Sequence, residues 1–525
     1  MNIHENARTI GLVNTAVGKG TRREQFSVTI ETTNSKETSS LKDVSTDDEK
    51  FRPSRIPPLI CTKPISMNNL PSSVNLSEEE KQKELCEREY GCGLLQTWKQ
   101  QAIEMCEKDD YVIPSSGLID LEKKKEMETN QATLTCYKNN NKHVDSDTFP
   151  HTVCESSNLV MDFSKLKRVP CLKYRPGYNC KRKTYYTYLA GALLGKCKRN
   201  PVNLDLSQFS KHFGKEIFSS FKTFKEENFK EKKDKVEYID GVTIFVTREQ
   251  DDHANLFHAL SDFFATFQMI EMFKLDSKNV QIVLLDEHYE SPYDFLWNST
   301  FSLKRPARKA SYFKEKTVRF ERAIFQHAGV ATQLKSNLLD FSEFDPSQCK
   351  SKVRLVTAFS DRILSTLGIE KRRPSFSSSD EMIRGLFVSS GKITNEDEVL
   401  INLKKHPEYG YTFTLERIDL NKFSFVEQVK RVHQADFLIG YHDLGLTNSL
   451  FLPDGTSGLL EIWKTYKTRS MRSFEQYSRW KGNEYTLWTN MDMKAINGDN
   501  LTVKLESFLQ TFGIFLTTLR NSRAK

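Results

Sequence analysis

The sequence predicts an α/β protein in which two strand–helix alternating halves stand behind a polar N-terminal segment and a cysteine-bearing section. Three observations carry that reading. From about residue 236 the runs "GVTIFVTRE", "VQIVLLD" and "VRFERAIF" are punctuated by the long apolar stretch "ANLFHALSDFFATFQMIEMF". A second alternation runs through "IRGLFVSS", "NEDEVLINLKKH", "YTFTLERID", "SFVEQVKRVHQ", "ADFLIG" and "GLLEIW", and the polar "KRRPSFSSSDE" divides the two. Strands alternating with helices at this spacing make parallel sheets with crossovers, and 525 residues exceed what one ordinary core serves.

Taken in order, residues 1–80 are rich in Ser, Thr, Asn, Lys and Pro without a period and read as a disordered linker or stalk. Order is expected to begin at "SEEEKQKELCEREYG", where Ser77 precedes three glutamates as a cap precedes a helix. Residues 81–235 read as a Cys-rich section of short strands and turns, including "VCESSNLVMDF" and "CLKYRPGYNC". Residues 236–375 and 376–525 form the two α/β halves. The helix "CKSKVRLVTAFSDRILSTLGI" ends the first, "EYTLWTN" adds a strand to the second, and the closing "LESFLQTFGIFLTTLRNS" is expected to pack back across the first half.

Composition narrows the class. The chain is 38% hydrophobic and 11% aromatic, with a mean hydropathy of −0.56, as soluble globular proteins are. The net charge of +8 arises from 77 basic and 69 acidic residues. Neither an arginine-rich arm nor an RNP-like aromatic motif accompanies it, so nucleic acid is not an expected partner. The basic run "KHFGKEIFSSFKTFKEENFKEKKDK" has acids interspersed and reads as a solvated helix face. Nine of the ten cysteines precede residue 200, none in zinc spacing, which suits disulfides formed in an oxidising compartment, with the pairing open and reduced thiols the alternative. Sequons at Asn75, Asn298 and Asn500 are compatible with a lumenal setting. The N-terminus, however, has no apolar run of signal or anchor length.

Two constellations and a third, shorter loop bear chemistry. In "ADFLIGYHDLGLTNSLFLPDG" a strand runs into His442, then Gly445 for a tight turn, then "LTNSLF" as a helix start. Free N–H groups there suit a phosphate, with His442, Thr447 and Asn448 adding donors and Glu461 of "GLLEIW" accepting ribose hydroxyls. In "DDHANLFHALSDFF", Asn255, His258 and Asp262 share one helix face while Leu256, Leu260, Phe263 and Phe267 form a buried stripe. An imidazole beside a carboxylate is what a general base and its orienting partner require; a solvated helix face is the plain alternative. Ser389, Ser390 and Lys392 follow the first strand of the second half and suit a diphosphate. Neither GxGxxG nor a Walker sequence is present at a strand end.

These residues resemble glycosyltransferase family 61 over about residues 240–490. The resemblance rests on "NLFHALSDFF", on "VQIVLLD" followed by "YDFLW", on "NEDEVL", and on "ADFLIGYHDLGLTNSLFLPDG". It implies a GT-B-like fold of two Rossmann-like domains facing a cleft, with 236–375 the acceptor domain and 376–525 the nucleotide-sugar domain. It also implies inverting transfer of a sugar, GlcNAc or xylose, from a UDP-sugar to a hydroxyl of a glycan or glycoprotein. His442, Gly445, Leu446, Thr447 and Asn448 would cradle the diphosphate with Ser389, Ser390 and Lys392, and Glu461 the ribose. Asp262 or His258 would be the base, with Asn255 in the acceptor cleft. No convincing Asp-x-Asp pair stands in a loop, so no metal or other obligatory cofactor is expected. The setting implied is the Golgi or endoplasmic reticulum lumen, with membrane association only through a segment outside this chain. This chain reads His442-Asp443-Leu444-Gly445 where the family has small residues, and Lys392 where it has arginines. An impaired family member that binds glycan or nucleotide is therefore the alternative.

Overall fold

The computed structural model describes residues 57–62, 77–106, 131–138, 152–168, 186–197, 214–223, 236–248, 254–327, 329, 332–334, 349, 351–372, 382–405, 413–465 and 472–523. These all fall within one compact unit, Thr46–Lys525. The expected disorder before residue 57, the turn "CLKYRPGYNC" and the basic run beyond residue 223 lie outside the described residues.

Helix α1 (Glu78–Tyr90) starts as its sequence predicts. The Ser77 side chain accepts from Glu80 N, and the Glu80 carboxylate accepts from Ser77 N, a reciprocal cap. Helix α2 (Cys92–Gln100) follows directly. Strands β1 (Ala102–Cys106), β2 (Thr133–Lys138) and β3 (Thr152–Asp162) come next, then the small pair β4 (Leu166–Arg168) and β5 (Tyr186–Tyr188). After β6 (Leu193–Gly195), α3 (Gly214–Ser219) and β7 (Lys222–Thr223), the parallel part begins with β8 (Val236–Val246). Helix α4 (Leu256–Phe273) crosses to β9 (Val280–Leu284), followed by β10 (Arg308–Lys309) and β11 (Thr317–Phe325).

Among the described residues these, apart from the β4–β5 pair, make one nine-stranded sheet in the order β1-β2-β3-β11-β8-β9-β10, with β6 joined to β3 and β7 to β6. Strands β11, β8, β9 and β10 are mutually parallel, and β3 pairs antiparallel with β11 along nearly its whole length. The boundary expected at 235/236 is thus not a sheet boundary, because β2 and β3 of the Cys-rich section extend the sheet that β8 begins.

The predicted apolar stripe on α4 proves too narrow. Of its 18 residues only His258 is not buried. Leu260 and Phe264 are fully enclosed, and Ser261, Asp262, Thr266, Gln268 and Glu271 are buried with them, so the helix is surrounded on every face. Helix α5 (Arg354–Thr366) packs on it, with Phe359 meeting Phe264 and Phe267 at ring separations of 5.1 and 5.7 Å.

The second sheet comprises β12 (Ile383–Val388), β13 (Phe413–Ile418), β14 (Phe437–Tyr441), β15 (Gly458–Trp463) and β16 (Glu484–Thr489), in the order β13-β12-β14-β15-β16 and wholly parallel. Helices α6 (Glu396–Lys405), α7 (Phe425–Gln434) and α8 (Ser473–Trp480) lie among these strands in sequence. The closing helix α9 (Leu505–Arg523) does not reach back across the first half. Its buried Phe508, Phe512, Phe515, Leu516 and Leu519 belong to the core on the outer face of this sheet, with Phe437 and Trp488. Each such side chain contributes on the order of 1.5–3 kcal/mol. The inner face shares one apolar core with α4 and α5, through Leu386, Val388, Leu438 and Leu446.

Among the described residues four disulfides join Cys61 to Cys92, Cys86 to Cys349, Cys106 to Cys197 and Cys136 to Cys154. Cys171 and Cys180 lie outside the described residues. The Cys86–Cys349 bridge ties α1 to the approach to α5 across 263 residues, while Cys106–Cys197 and Cys136–Cys154 join strand segments of the first sheet. Among the described residues no helix is long and apolar enough to cross a membrane.

Candidate functional site

The chain runs from β12 outward to β13, then returns past β12 to β14. That reversal opens a crevice between the carboxyl ends of β12 and β14, the place where open parallel sheets bind ligands. Three segments line it: Ser389–Lys392 after β12, His442–Asn448 after β14, and Trp463–Lys464 at the end of β15.

On the inner face, His442 and Glu461 sit on neighbouring strand ends, with Gly440 of β14 in register with Glu461. His442 Nδ1 donates to Glu461 Oε1, and Tyr485 of β16 donates its hydroxyl to Glu461 Oε2 at 2.5 Å. The carboxylate fixes the imidazole tautomer, leaving Nε2 as an acceptor while the ring is neutral. The ring rests 3.8 Å from the Trp463 centroid and 5.1 Å from that of Phe474 on α8. Phe474 meets Phe257 at 6.3 Å, and Phe257 meets His258 at 5.6 Å. A path of rings therefore joins the strand-end histidine to the first turn of α4, and the two constellations that sequence singled out are neighbours.

On the outer face the crevice is charged. Lys392 Nζ stands 3.8 Å from Asp499 Oδ2, and Lys464 Nζ 3.5 Å from Asp499 Oδ1. The tip of a short hairpin of strands Ile496–Asn497 and Asn500–Leu501 brings Asp499 there, with Gly498 left-handed at φ +58°. Tyr441 donates to Asp499 O at 3.5 Å. Burial first, then the carboxylates of Asp499 and Asp443, hold its phenol above the ordinary value.

Several expectations need correction. Gly445 is not a left-handed turn residue; a Cβ there would lie 2.8 Å from Val388 Cγ1, so it is needed for close approach to β12. The left-handed turn glycine of the crevice is Gly391, at φ +69°, beside Ser390, whose Oγ accepts from Lys392 N at 3.3 Å. Ser389 N donates to Ile418 O and continues the sheet. "LTNSLF" lies in a 3-10 helix, Leu444–Phe451, and Asp443 caps it by accepting from Leu444 N at 2.6 Å. The first N–H expected to meet a phosphate already faces this carboxylate.

Leu446, Thr447 and Asn448 are buried beneath that first turn. Asn448 Nδ2 donates to Gln428 Oε1 at 3.2 Å, while Thr447 Oγ1, Asn448 Oδ1 and Ser449 Oγ have no hydrogen-bond partner among the described residues. Glu461 does not stand open to a ribose, since it is 2% exposed and both oxygens have protein donors.

In α4, Asn255 is the helix cap, its Oδ1 accepting from Phe257 N at 3.0 Å. Asp262 is 1% exposed and accepts from Gly329 N at 3.2 Å, where a Cβ on residue 329 would collide with it. His258 is the member of the predicted trio with a half-open side chain on the helix itself.

Sequence reasoning passed over the rings that hold His442, although Trp463 shares the parity of Glu461 along β15 and was legible on that ground. It also passed over Arg248. That buried guanidinium donates to Asp286 through Nε and Nη2 and to Asp294 at 2.7 Å, so the acids of "VQIVLLD" and "YDFLW" form an ion cluster. Burial would raise the Asp286 carboxyl, but Arg248 holds it below its ordinary value. Asp454, of "FLPDG", likewise joins Lys481 at 2.6 Å and Lys371 at 3.1 Å. Among the described residues no group of three or more His, Cys, Asp or Glu side chains is placed to hold a metal ion.

The sequence pattern of the family described as Glycosyltransferase 61 matches residues 256–459. The chain is 24% identical over 342 residues to the EGF domain-specific O-linked N-acetylglucosamine transferase of Pan troglodytes, covering 64% of this chain and 60% of that protein. It is 26% identical over 249 residues to the protein of the same name from Drosophila melanogaster, covering 46% and 44%. A beta-1,2-xylosyltransferase of Arabidopsis thaliana is 26% identical over 291 residues, covering 47% of this chain and 52% of the relative. The chain thus matches about three-fifths or less of the length of these relatives. The matched residues run from the first turn of α4 to the second residue of β15, so the likeness to glycosyltransferase family 61 spans both sheets.

Proposed function

We propose that this chain transfers a sugar, GlcNAc or xylose, from a UDP-sugar to a hydroxyl of a glycan or glycoprotein, inverting the anomeric centre. The observation that carries the reading is the ring path from His442 through Phe474 and Phe257 to His258. It puts a strand-end crevice suited to a nucleotide next to a helix turn bearing an accessible imidazole.

In this reading Lys392 and Lys464 face the diphosphate, and Glu461 acts by orienting His442. The acceptor oxygen attacks the anomeric carbon from the face opposite the diphosphate. The bond to the leaving oxygen breaks, His258 takes the acceptor proton, and UDP departs with its charge beside the lysines. Asp262, one turn below His258, positions the helix turn and the Gly329 strand of chain rather than meeting the acceptor. No metal is assigned a role. The four disulfides favour an oxidising lumen, Golgi or endoplasmic reticulum, as the setting.

One observation favours the second reading, a member that binds without turnover: Asp443 caps the 3-10 helix where a phosphate was expected. Calorimetric titration of the purified chain with UDP-GlcNAc and UDP-xylose, alongside transfer assays, tests both. Binding lost in His442→Ala, together with turnover, supports the transferase. Binding without turnover that Asp443→Gly restores would establish the second reading, and no binding of either nucleotide sugar would end both.

A further inference from the structure

A groove of about 560 Å³ opens on the nine-stranded sheet, at β2, β3, β8 and β11. It lies on the face that α4 covers, starting where that helix stops: Arg322 of β11 stands 5.7 Å from the ring of Phe273, the last residue of α4. Its volume falls within the range of about 300–1,000 Å³ of small-molecule sites.

The lining is a set of fixed hydroxyls and carboxylates around one exposed ring. Thr133 and Ser157 hydroxyls bond across the strands at 2.7 Å. Glu155 accepts from Arg322 Nε at 2.6 Å and from Tyr137 at 3.1 Å, so it is held rigid while keeping acceptor capacity. Tyr238 is 55% exposed. A bulge shapes this wall. Asp240 and Gly241 of β8 stand opposite the single Glu321 of β11, Gly241 is left-handed at φ +74°, and its N–H donates to Glu321 Oε2 at 2.5 Å. Bulges of this kind re-aim side chains and occur beside binding sites.

The geometry points to a neutral oligosaccharide as the ligand of this groove. Sugar rings offer an apolar face to an aromatic ring and alternating donors and acceptors to carboxylates, hydroxyls and a guanidinium. The Glu155–Arg322 pair cancels, and Glu321 leaves one negative charge, so phosphorylated or sulfated ligands are disfavoured. The inference does not depend on the proposed transfer reaction, since the groove shares no residue with the strand-end crevice.

Calorimetric titration of the full chain with chitotriose, xylotriose and maltotriose, and with a sulfated disaccharide as control, tests it. At least one neutral trisaccharide should bind in the millimolar range or tighter, and the sulfated sugar should not. Tyr238→Ala, an exposed position whose loss should leave the melting temperature unchanged, should weaken that binding by about tenfold or more, and Glu321→Gln should weaken it less. Binding should survive His442→Ala. Failure of all three neutral sugars to bind would overturn the inference, as would equal affinity in Tyr238→Ala, preference for the sulfated sugar, or binding abolished by His442→Ala.

Discussion

At the carboxyl ends of β8 and β9, Arg248, Asp286 and Asp294 close on one another, with the Arg248 side chain 2% exposed and that of Asp286 fully buried. At the carboxyl ends of β14 and β15, His442 and Glu461 also pair, but 21% of the histidine side chain remains open and aromatic rings wall it. Both places are ends of parallel strands, and both carry residues of the quoted motifs. The difference lies in what remains available. Arg248 spans both carboxylates and the His288 carbonyl, and Asp294, though 20% exposed, also accepts from Ser291 N, so the cluster fixes the loops that follow β8 and β9. The second leaves an imidazole oriented by a buried carboxylate and joined through Phe474 and Phe257 to a half-buried imidazole on α4. The first pair is held by a cation that spans two carboxylates, the second by one carboxylate that engages only Nδ1 of the imidazole.

Removing the accessible group should do the most. His258→Ala should lower kcat by about 10²–10⁴-fold, as loss of a general base does, with donor affinity nearly unchanged. Asp262→Asn should instead lower stability and kcat together, since its carboxylate holds Gly329. Transfer assays with calorimetric donor binding separate the two, and a His258→Ala variant with full kcat removes His258 as the base.

The sealed cluster should respond in stability alone. Arg248→Ala should cost about 3–5 kcal/mol in urea unfolding, because it leaves carboxylates buried without their cation. The same contact sets an acid limit. Arg248 holds the Asp286 carboxyl below its ordinary value, so in acid the unfolded chain binds a proton that the folded chain does not. The stabilisation is complete above about pH 4, the unfolded carboxyl's range, and is lost as pH falls through the folded value. Asp286→Asn should flatten that acid slope relative to the native chain. An unchanged slope would show that the cluster carries no proton linkage.

The same contrast explains what was legible in sequence. Strand and helix positions followed from period and capping, as the Ser77–Glu80 cap and the β12–β16 alternation illustrate. The helix "ANLFHALSDFF" was readable as a helix but not as a buried one, because its polar residues turned out to be satisfied inside: Asn255 by capping, Asp262 by a backbone N–H from the stretch after β11. Gly445 looked like a turn glycine because sequence shows a glycine after a strand but not the Val388 side chain that presses on it. Asp286, Asp294 and Asp454 looked like motif acids, and only long-range contacts with Arg248, Lys371 and Lys481 mark them as structural. Disulfide partners 263 residues apart have no local signature at all.

The smallest effect concerns the outer rim, where the comparison is least decided. Lys392 and Lys464 are more exposed than His442, yet both share the exposed carboxylate of Asp499. Solvent screens such pairs, so Asp499→Ala should change folding stability by no more than about 1 kcal/mol. Its effect on the donor should have the opposite sign to that of His442→Ala. If a diphosphate lies between the two lysines, it must displace Asp499 or sit against its charge, and removing that charge should tighten UDP binding several-fold, more at low salt than at high salt. Lys464→Ala should weaken it, and the double variant with Asp499→Ala should lose most of the gain. If Asp499→Ala leaves UDP affinity unchanged at low salt, the lysines are surface cations held by a hairpin, and the diphosphate seat lies on the His442 side of the sheet.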